Sequence, residues 1–306
     1  MNLVRPGRLA LWSGLVGFAL AAALVVSLAA SGTRAVSSDL ANPSRHHSKI
    51  VFTRAPRHRI SIAVMRPDGS HIHILIHNGD EPAFSPDAMR IVFSRERHSN
   101  RDIYVMRADG SDVRRLTRKR AADKTPVFSP DGRKIAFASR RDGNSEIYVM
   151  RADGTHQRRL THNPFFQAGP EYSPGGRRIA FTQRRHRKFD IFKMRTDGTH
   201  WRRLTHHPGL DNDPDFAPNG RKIAFARGAT NHSIDAIWAM GTGGRHQRRL
   251  TDNHFITFAP VYSPGGKRIA FNMDGAIYKM DADGTRQRRL TRPGAASTLP
   301  DWGRRR

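Results

Sequence analysis

Short hydrophobic runs separated by polar turns recur along most of the chain, and one representative block spans residues 125–161: TPVFSPDGRKIAFASRRDGNSEIYVMRADGTHQRRLT. Its apolar runs, 135–137 and 147–150, are rich in β-branched and aromatic residues, and turn-forming Ser-Pro-Asp-Gly and Ala-Asp-Gly sequences bound them. No stretch of the block has a helical apolar period long enough to compete. The pattern predicts four strands per block: A (PVFS), B (KIAFAS), C (EIYVM) and D (the RRLT ending).

The block returns at a spacing of roughly 44 residues, which suits a four-stranded propeller blade. The aromatic residue of strand A marks the repeats at Phe84, Phe128, Tyr172, Phe216, Tyr262 and Trp302. The first unit lacks strand A, and the last unit, 298–302, is only a strand A, so the two fragments complete one blade. Five whole blades and this composite predict an all-β, six-bladed propeller in which the C-terminal strand, 297–303, closes the ring.

The repeated pattern P-x-F/W-S-P-D-G-R-x-I-A-F…I-Y-V-M-x-A-D-G…R-L-T resembles the propeller repeat of the TolB (WD40-like) family, over residues 49–303. The resemblance implies a six-bladed propeller that acts outside the cytoplasm, commonly as a binding platform. It does not include the additional α/β domain that precedes the propeller in TolB itself. Nor does it include the hydrolase domain of prolyl-oligopeptidase-like enzymes. We therefore expect a binding role without the extra domain.

The N-terminal stretch 9–30 is apolar and uncharged, and Arg5 and Arg8 precede it. A helix of this length could cross a bilayer, and the preceding arginines would place the amino terminus in the cytoplasm. We therefore predict that residues 1–35 are a signal peptide or signal anchor, which forms one hydrophobic helix before the propeller, and that a linker follows at 36–48. The propeller follows at 49–303, and 304–306 form a basic tail. The expected location is extracytoplasmic, either periplasmic or at the cell surface, with the protein secreted or anchored.

Charge and cysteine content restrict the chemistry. The chain has 53 Lys+Arg against 26 Asp+Glu and no cysteine, which excludes disulfides, thiolate metal sites and a cysteine nucleophile. A formal net charge of +27 predicts anionic partners: an acidic protein or peptide, an anionic envelope polymer, or an anionic membrane surface. The arginine doublets on strand D surround the circumference, which disfavours nucleic acid; we expect them to protect the outer strand from edge-to-edge pairing.

The loops of one rim vary, whereas the A–B and C–D turns of the other are uniform. Variable loops on a rigid scaffold often carry binding, and here the B–C and D–A loops are basic and aromatic. The alternative is a solvated rim whose phenylalanines pack between blades. The candidate rim residues are Arg95, Arg97, Arg101, Arg140, Arg141, Arg184, Arg185, Phe165, Phe166 and Phe255.

The propeller axis is a second candidate site. Glu171, Asp215 and Asp301 precede strand-A aromatics and could bind a cation or a peptide amine, or could instead be paired with backbone amides and arginines. His71 and His73, with His77, alternate along strand D of the composite blade and form a weak metal candidate. No catalytic motif is present.

We therefore predict a non-catalytic, monomeric binding scaffold of the cell envelope without a cofactor. The alternative is an extracytoplasmic lyase or hydrolase that acts on polysaccharide at the propeller axis.

Overall fold

The computed structural model describes residues 48–56, 59–186, 188–228, 234–252, 255–292, 294 and 296–303. The predicted export segment 1–35, nearly all of the linker and the basic tail 304–306 lie outside these residues. Within the described part of the chain, no helix has the length and apolar character needed to span a bilayer.

Each sequence block folds into strands because its β-branched and aromatic runs are separated by turn sequences. The strands are β1 Ile50–Arg54, β2 Ser61–Met65, β3 His73–His77, β4 Asp80–Phe84, β5 Arg90–Arg97, β6 Asn100–Arg107, β7 Arg114–Arg115, β8 Asp123–Phe128, β9 Lys134–Asp142, β10 Asn144–Arg151, β11 Arg158–Arg159, β12 Phe166–Tyr172, β13 Arg178–Arg185, β14 Lys188–Arg195, β15 Arg202–Arg203, β16 Leu210–Phe216, β17 Lys222–Gly228, β18 Ile234–Gly241, β19 Arg248–Arg249, β20 Thr257–Tyr262, β21 Arg268–Met273, β22 Ala276–Asp281, β23 Arg288–Arg289 and β24 Ser297–Trp302.

The strands form four-stranded antiparallel arrangements that we number along the chain. Group 1 is β24-β1-β2-β3, group 2 is β4 to β7, group 3 is β8 to β11, and group 6 is β20 to β23. The remaining eight strands, which we divide into group 4 (β12 to β15) and group 5 (β16 to β19), form one sheet. The described residues therefore contain four separate four-stranded sheets, and the prediction of six separate blades is wrong on this count. The physical reason is a single parallel pair, Phe189 with Leu210, which connects β14 to β16.

The innermost strands contact one another in a closed cycle, β24-β4-β8-β12-β16-β20 and back to β24. Apolar residues of neighbouring groups share each core between them: Ile50 and Phe52 of group 1, for example, pack with Val261 and Ile277 of group 6. Burying an aromatic side chain such as Phe52 contributes about 1.5–3 kcal/mol. The hydrophobic stabilisation therefore lies between the groups and holds the cycle together.

The two ends of the described chain belong to one sheet. Strand β24 pairs with β1 in antiparallel register, with Ile50 opposite Trp302 and Arg54 opposite Ser297. The backbone NH of Gly303 also donates to the carbonyl of Lys49 at 2.9 Å. Group 1 is therefore completed by the last strand of the chain, as the incomplete repeats at the two ends require.

Residues of the RRLT ending form hydrogen bonds within their own group and with the next one. In group 3, the Thr161 hydroxyl accepts the Ile147 amide at 2.9 Å, while Arg159 donates to Glu146 at 2.7 Å. The first arginine of the doublet, Arg158, instead reaches the Thr196 carbonyl in the C–D turn of group 4, at 3.4 Å. In group 3 the doublet therefore does more than charge the outer edge: Arg159 fixes strand D within the group, and Arg158 bridges to group 4.

Candidate functional site

The central cavity lies where the six inner strands approach one another, and it has a volume of about 180 Å³. Each inner strand carries a residue with positive φ directly before a proline, and the strand pairing is interrupted there. These six residues, at φ of 47–57°, are Glu81, Thr125, Gly169, Asp213, Ala259 and Leu299. The left-handed conformation is uncommon for residues other than glycine, so the surrounding ring must hold these positions in place.

Side chains at these pre-proline positions connect neighbouring groups. Glu81 Oε2 accepts the backbone NH of Thr125 at 2.9 Å, and Thr125 Oγ1 accepts the NH of Gly169 at 3.3 Å. Asp213 Oδ2 accepts the NH of Ala259 at 3.2 Å. The acceptor side chain of one inner strand therefore satisfies an amide of the next.

The predicted funnel carboxylates form a second tier, two residues after each pre-proline position. Asp301 Oδ2 accepts the Phe84 amide at 2.6 Å, and Asp215 Oδ2 accepts the Tyr262 amide at 2.7 Å. Glu171 occupies the equivalent position on β12 and lines the same cavity. The structure therefore places all three at the axis, and at least two of them bond between groups, which is the paired alternative weighed above.

Burial controls the ionisation of two carboxyl groups in the ring. Desolvation raises the pKa of Asp213 to about 6, against a small opposing effect of the Ala259 amide. Desolvation, followed by the charge of Asp80, also raises the pKa of Glu81, while the Thr125 amide, Arg101 and Ser94 act in the opposite direction. Two of the acids that line the cavity, Asp213 and Glu81, are therefore costly to ionise.

Five of the predicted rim residues come together between groups 3 and 4. The Arg184 and Arg140 guanidinium carbons lie 5.5 and 6.0 Å from the centre of the Phe166 ring, and that of Arg185 lies 4.7 Å from the centre of the Phe165 ring. We call these residues, Arg140, Phe165, Phe166, Arg184 and Arg185, the rim patch. The three arginines are exposed and the two phenylalanines half-buried, and among the described residues no carboxylate forms an ion pair with these arginines.

The loop that carries the two phenylalanines is fixed by one asparagine on each side. Asn144 Nδ2 donates to the carbonyl of Phe165 at 2.8 Å, and Asn163 Oδ1 accepts the Phe165 amide at 2.9 Å. Both contacts hold backbone atoms and leave the aromatic rings free to contact the arginines. The rim patch is therefore a preformed surface.

Other predicted rim residues have structural partners. Arg141, next to Arg140, is buried against Asp123 at 3.0 Å and lies 4.7 Å from the centre of the Tyr148 ring. Arg101 pairs with Asp80 at 2.7 Å. These ion pairs neutralise both arginines within the fold. Neither is therefore available to a binding partner, whereas Arg140 is.

The remaining rim residues lie outside the patch. Arg95 sits 5.8 Å from the centre of the Tyr104 ring, and Arg97 is exposed at the end of β5. Phe255, 53% exposed, precedes β20 beside exposed Ile256.

The histidine candidates do not share one face of a strand. His71 precedes β3 and has a positive φ of 54°, while an irregularity in the pairing of β2 with β3 interrupts the alternation between His73 and His77. His77 Nδ1 is instead 3.0 Å from the Ser61 hydroxyl. The expected alternation of all three along one strand is therefore wrong. In the part of the chain that the structure describes, no three His, Asp or Glu residues are grouped to hold a metal.

The axis ring was only partly visible in the sequence. Glu81 and Thr125 were not among the candidates, although each directly precedes the proline of its strand A. Asp123 on β8 and Asp211 on β16 do not join this ring, because both are buried in ion pairs with Arg141 and Arg227. Comparing the pre-proline positions across the repeats could have identified the first two residues.

Comparison with known families matches residues 44–256 to the model for the TolB beta propeller domain. The chain belongs to this family. The matched residues make up more than half of the chain. Beyond them, the same pattern of strands continues to Trp302. No curated protein matches the sequence.

Solved structures show the same fold for this TolB-family propeller. The chain is similar to TolB from Acinetobacter baumannii, with 20% identity and a TM-score of 0.74, over 83% of this chain and 66% of that one. A putative TolB from Agrobacterium tumefaciens gives 23% identity and a TM-score of 0.66, over 80% and 88%. A chain of a nidogen/laminin complex gives 15% and 0.70, over 83% and 98%. The chain thus spans slightly less than two thirds of the Acinetobacter protein.

Proposed function

We propose that this chain is an extracytoplasmic, non-catalytic scaffold of the cell envelope that binds an acidic protein segment through the rim patch. The observation that carries the proposal is the patch itself: three exposed arginines stacked against two half-buried phenylalanines, with no carboxylate partner among the described residues. Arginine and aromatic side chains are enriched at protein interfaces. A carboxylate-rich segment would supply the charge that this surface lacks.

The fold and the family support a binding role for the whole molecule. We count groups 4 and 5 as two blades, because Phe189–Leu210 is the only strand pairing between them among the described residues, and this gives a rigid six-bladed ring that acts as a monomer. TolB-family membership supports a location outside the cytoplasm, reached through residues 1–35 as a signal peptide or anchor. One of the similar structures is titled as a nidogen/laminin complex, and it illustrates that such a propeller can occur in a protein assembly.

The proposal of a non-catalytic role rests on how the axial acids are used. Asp301, Asp215 and Asp213 accept backbone amides of neighbouring strands, and the described His, Asp and Glu residues form no group of three suited to a metal. A polysaccharide-acting enzyme at the axis would need acids directed at a substrate. The geometry therefore favours binding at the rim over catalysis at the axis.

A fluorescent decaglutamate peptide provides a direct probe of the rim patch. We expect the triple variant Arg140→Gln, Arg184→Gln and Arg185→Gln to weaken binding at least about tenfold, or ~1.4 kcal/mol, as measured by fluorescence anisotropy. The matched control is Arg133→Gln, Arg177→Gln and Arg221→Gln, which removes the same charge from exposed A–B turns at the opposite rim. We expect the control to change affinity by less than about twofold, with both variants melting near the wild type.

Two outcomes would contradict the proposal. Equal weakening by the two triple variants would show that only net charge attracts the peptide. Tighter binding of polygalacturonate than of decaglutamate, lost in the rim variant alone, would assign the patch to an anionic polymer instead. Binding to the rim patch should also weaken as salt rises, because exposed charges are screened over about 8–10 Å at physiological ionic strength.

A further inference from the structure

A second cavity lies between groups 1 and 6, away from the axis and the rim patch, and has a volume of about 390 Å³. Cavities of roughly 300–1,000 Å³ are the size used for small-molecule ligands. Its wall includes Arg54 from β1 and Ser297 from β24, the two strands that bring the ends of the chain together. The cavity therefore depends on the pairing of β1 with β24, the first and last strands of the described residues.

In group 5, the position equivalent to Arg54 is occupied by an arginine that is paired within the fold. There, Arg227 lies opposite Asp211 in the pairing of β17 with β16. Its guanidinium donates to both Asp211 oxygens, at 2.6 and 2.9 Å, and to Gln247 Oε1 at 2.8 Å. The Trp238 ring centre lies 4.7 Å away. The arginine of group 5 is thus fully neutralised inside the fold.

In group 1, the equivalent arginine, Arg54, has no carboxylate partner among the described residues. Asp211 and Ser297 each stand three residues before the proline of their inner strand, and Arg54 lies opposite Ser297 as Arg227 lies opposite Asp211. Ile72, three residues after Gly69, takes the place of Gln247, three after Gly244. No described residue forms an ion pair with Arg54. The carboxylate and the amide that complete group 5 are therefore replaced by a hydroxyl and an alkyl chain.

The serine side chain is an independent sign of a missing partner. Ser297 is fully buried, at 0% exposure, and its hydroxyl has no hydrogen-bond partner among the residues that the structure describes. Leaving a buried polar group unsatisfied costs about 1–3 kcal/mol. A ligand oxygen in the cavity would accept from this hydroxyl and remove that cost.

The rest of the wall suits an organic anion. Arg292 and His71 add basic groups, Leu290 and Ile72 add apolar surface, and none of the described residues that line the cavity is acidic. We propose that this cavity binds a small organic carboxylate. Its carboxylate takes the place that Asp211 occupies in group 5, paired with Arg54 and accepting from Ser297, and its apolar body packs against Leu290 and Ile72.

The purified full-length chain tests this proposal with benzoate as the probe and neutral benzamide as its isosteric control. We expect benzoate, but not benzamide, to bind in calorimetry and to raise the melting temperature. Arg54→Gln should weaken benzoate binding at least about tenfold. Arg95→Gln, which changes an arginine two residues after the strand-B phenylalanine of group 2, as Arg54 is in group 1, should leave binding within about twofold.

A second variant distinguishes a ligand site from a structural gap. Ser297→Asp supplies the carboxylate internally, so it should abolish benzoate binding while the unliganded protein melts at or above the wild-type temperature. If this variant fails to fold, benzoate calorimetry with Arg54→Gln and Arg292→Gln takes its place. Weaker binding in both variants would identify the cavity as a ligand site. Absence of benzoate binding, binding that survives Arg54→Gln, or equally tight binding of inorganic sulfate would each overturn the proposal.

Discussion

The central cavity and the rim patch use charged residues in opposite ways. At the axis, Asp301 and Asp213 are already bonded to backbone amides of the next strand group. At the rim, Arg140 and Arg185 contact aromatic rings and have no ion pair among the described residues. Groups whose hydrogen bonds are satisfied within the fold hold the ring together, while groups left without a counter-charge remain available to a partner. The difference teaches that charge alone does not mark a site; the decisive property is whether the fold neutralises it.

The sharpest test of this contrast uses two adjacent arginines on β9. Arg141→Ala should lower the free energy of unfolding by about 3–5 kcal/mol, because Asp123 remains buried without its counter-charge. Arg140→Ala should change it by less than about 0.5 kcal/mol, because Arg140 is exposed. Chemical denaturation of both variants measures the difference. Similar losses in the two variants would remove the distinction between buried and available arginines.

A smaller effect is expected from the second tier of the axis. Asp301→Ala should cost about 1–3 kcal/mol of unfolding free energy, since the Phe84 amide loses its acceptor. Asp301→Asn keeps a side-chain oxygen there and should cost less than Asp301→Ala in the same denaturation experiment. An asparagine variant as unstable as the alanine variant would mean that the negative charge of Asp301, and not its acceptor oxygen, is what the axis needs.

A further effect, which depends on pH, is expected at Asp213. Its pKa of about 6 in the folded protein lies above the ordinary value of 3.8, so the folded state holds more protons than the unfolded state between these values. The contribution of Asp213 to stability is therefore full below about pH 4 and falls as pH rises through 6. Asp213→Asn should melt progressively higher relative to the wild type as pH increases from about 4 to 7. A constant difference across this range would show that Asp213 ionises normally.

Much of the candidate site could be anticipated because the repeat aligns equivalent positions. The sequence places Phe165, Phe166, Arg184 and Arg185 on loops of the same rim, and the structure brings them into contact. It could not separate Arg140 from Arg141, because adjacent residues in a strand point to opposite faces and their surroundings come from other strands. Asp123, which neutralises Arg141, and Gln157, which accepts a hydrogen bond from it, lie 18 and 16 residues away.

The count of separate sheets shows a similar limit. The repeats of groups 4 and 5 have the same strand pattern as the others, yet Phe189 pairs with Leu210 and joins them. The prediction for the histidines of group 1 is wrong for a comparable reason. An irregular pairing of β3 with β2 interrupts the alternation that the sequence suggests. A local period predicts strands well, but it carries no information about single pairs between strands of different groups.

The sequence by itself determined the strand repeat, the turn chemistry and the family, because these depend on residue types at short, regular spacing. Only the tertiary structure decided which charged side chains are neutralised within the fold. Arg227 and Arg54 occupy equivalent places, but Asp211 neutralises one, while the other faces the unpaired hydroxyl of Ser297. That outcome depends on a contact between the two ends of the chain, more than 240 residues apart, and long-range contacts are formed by the fold as a whole.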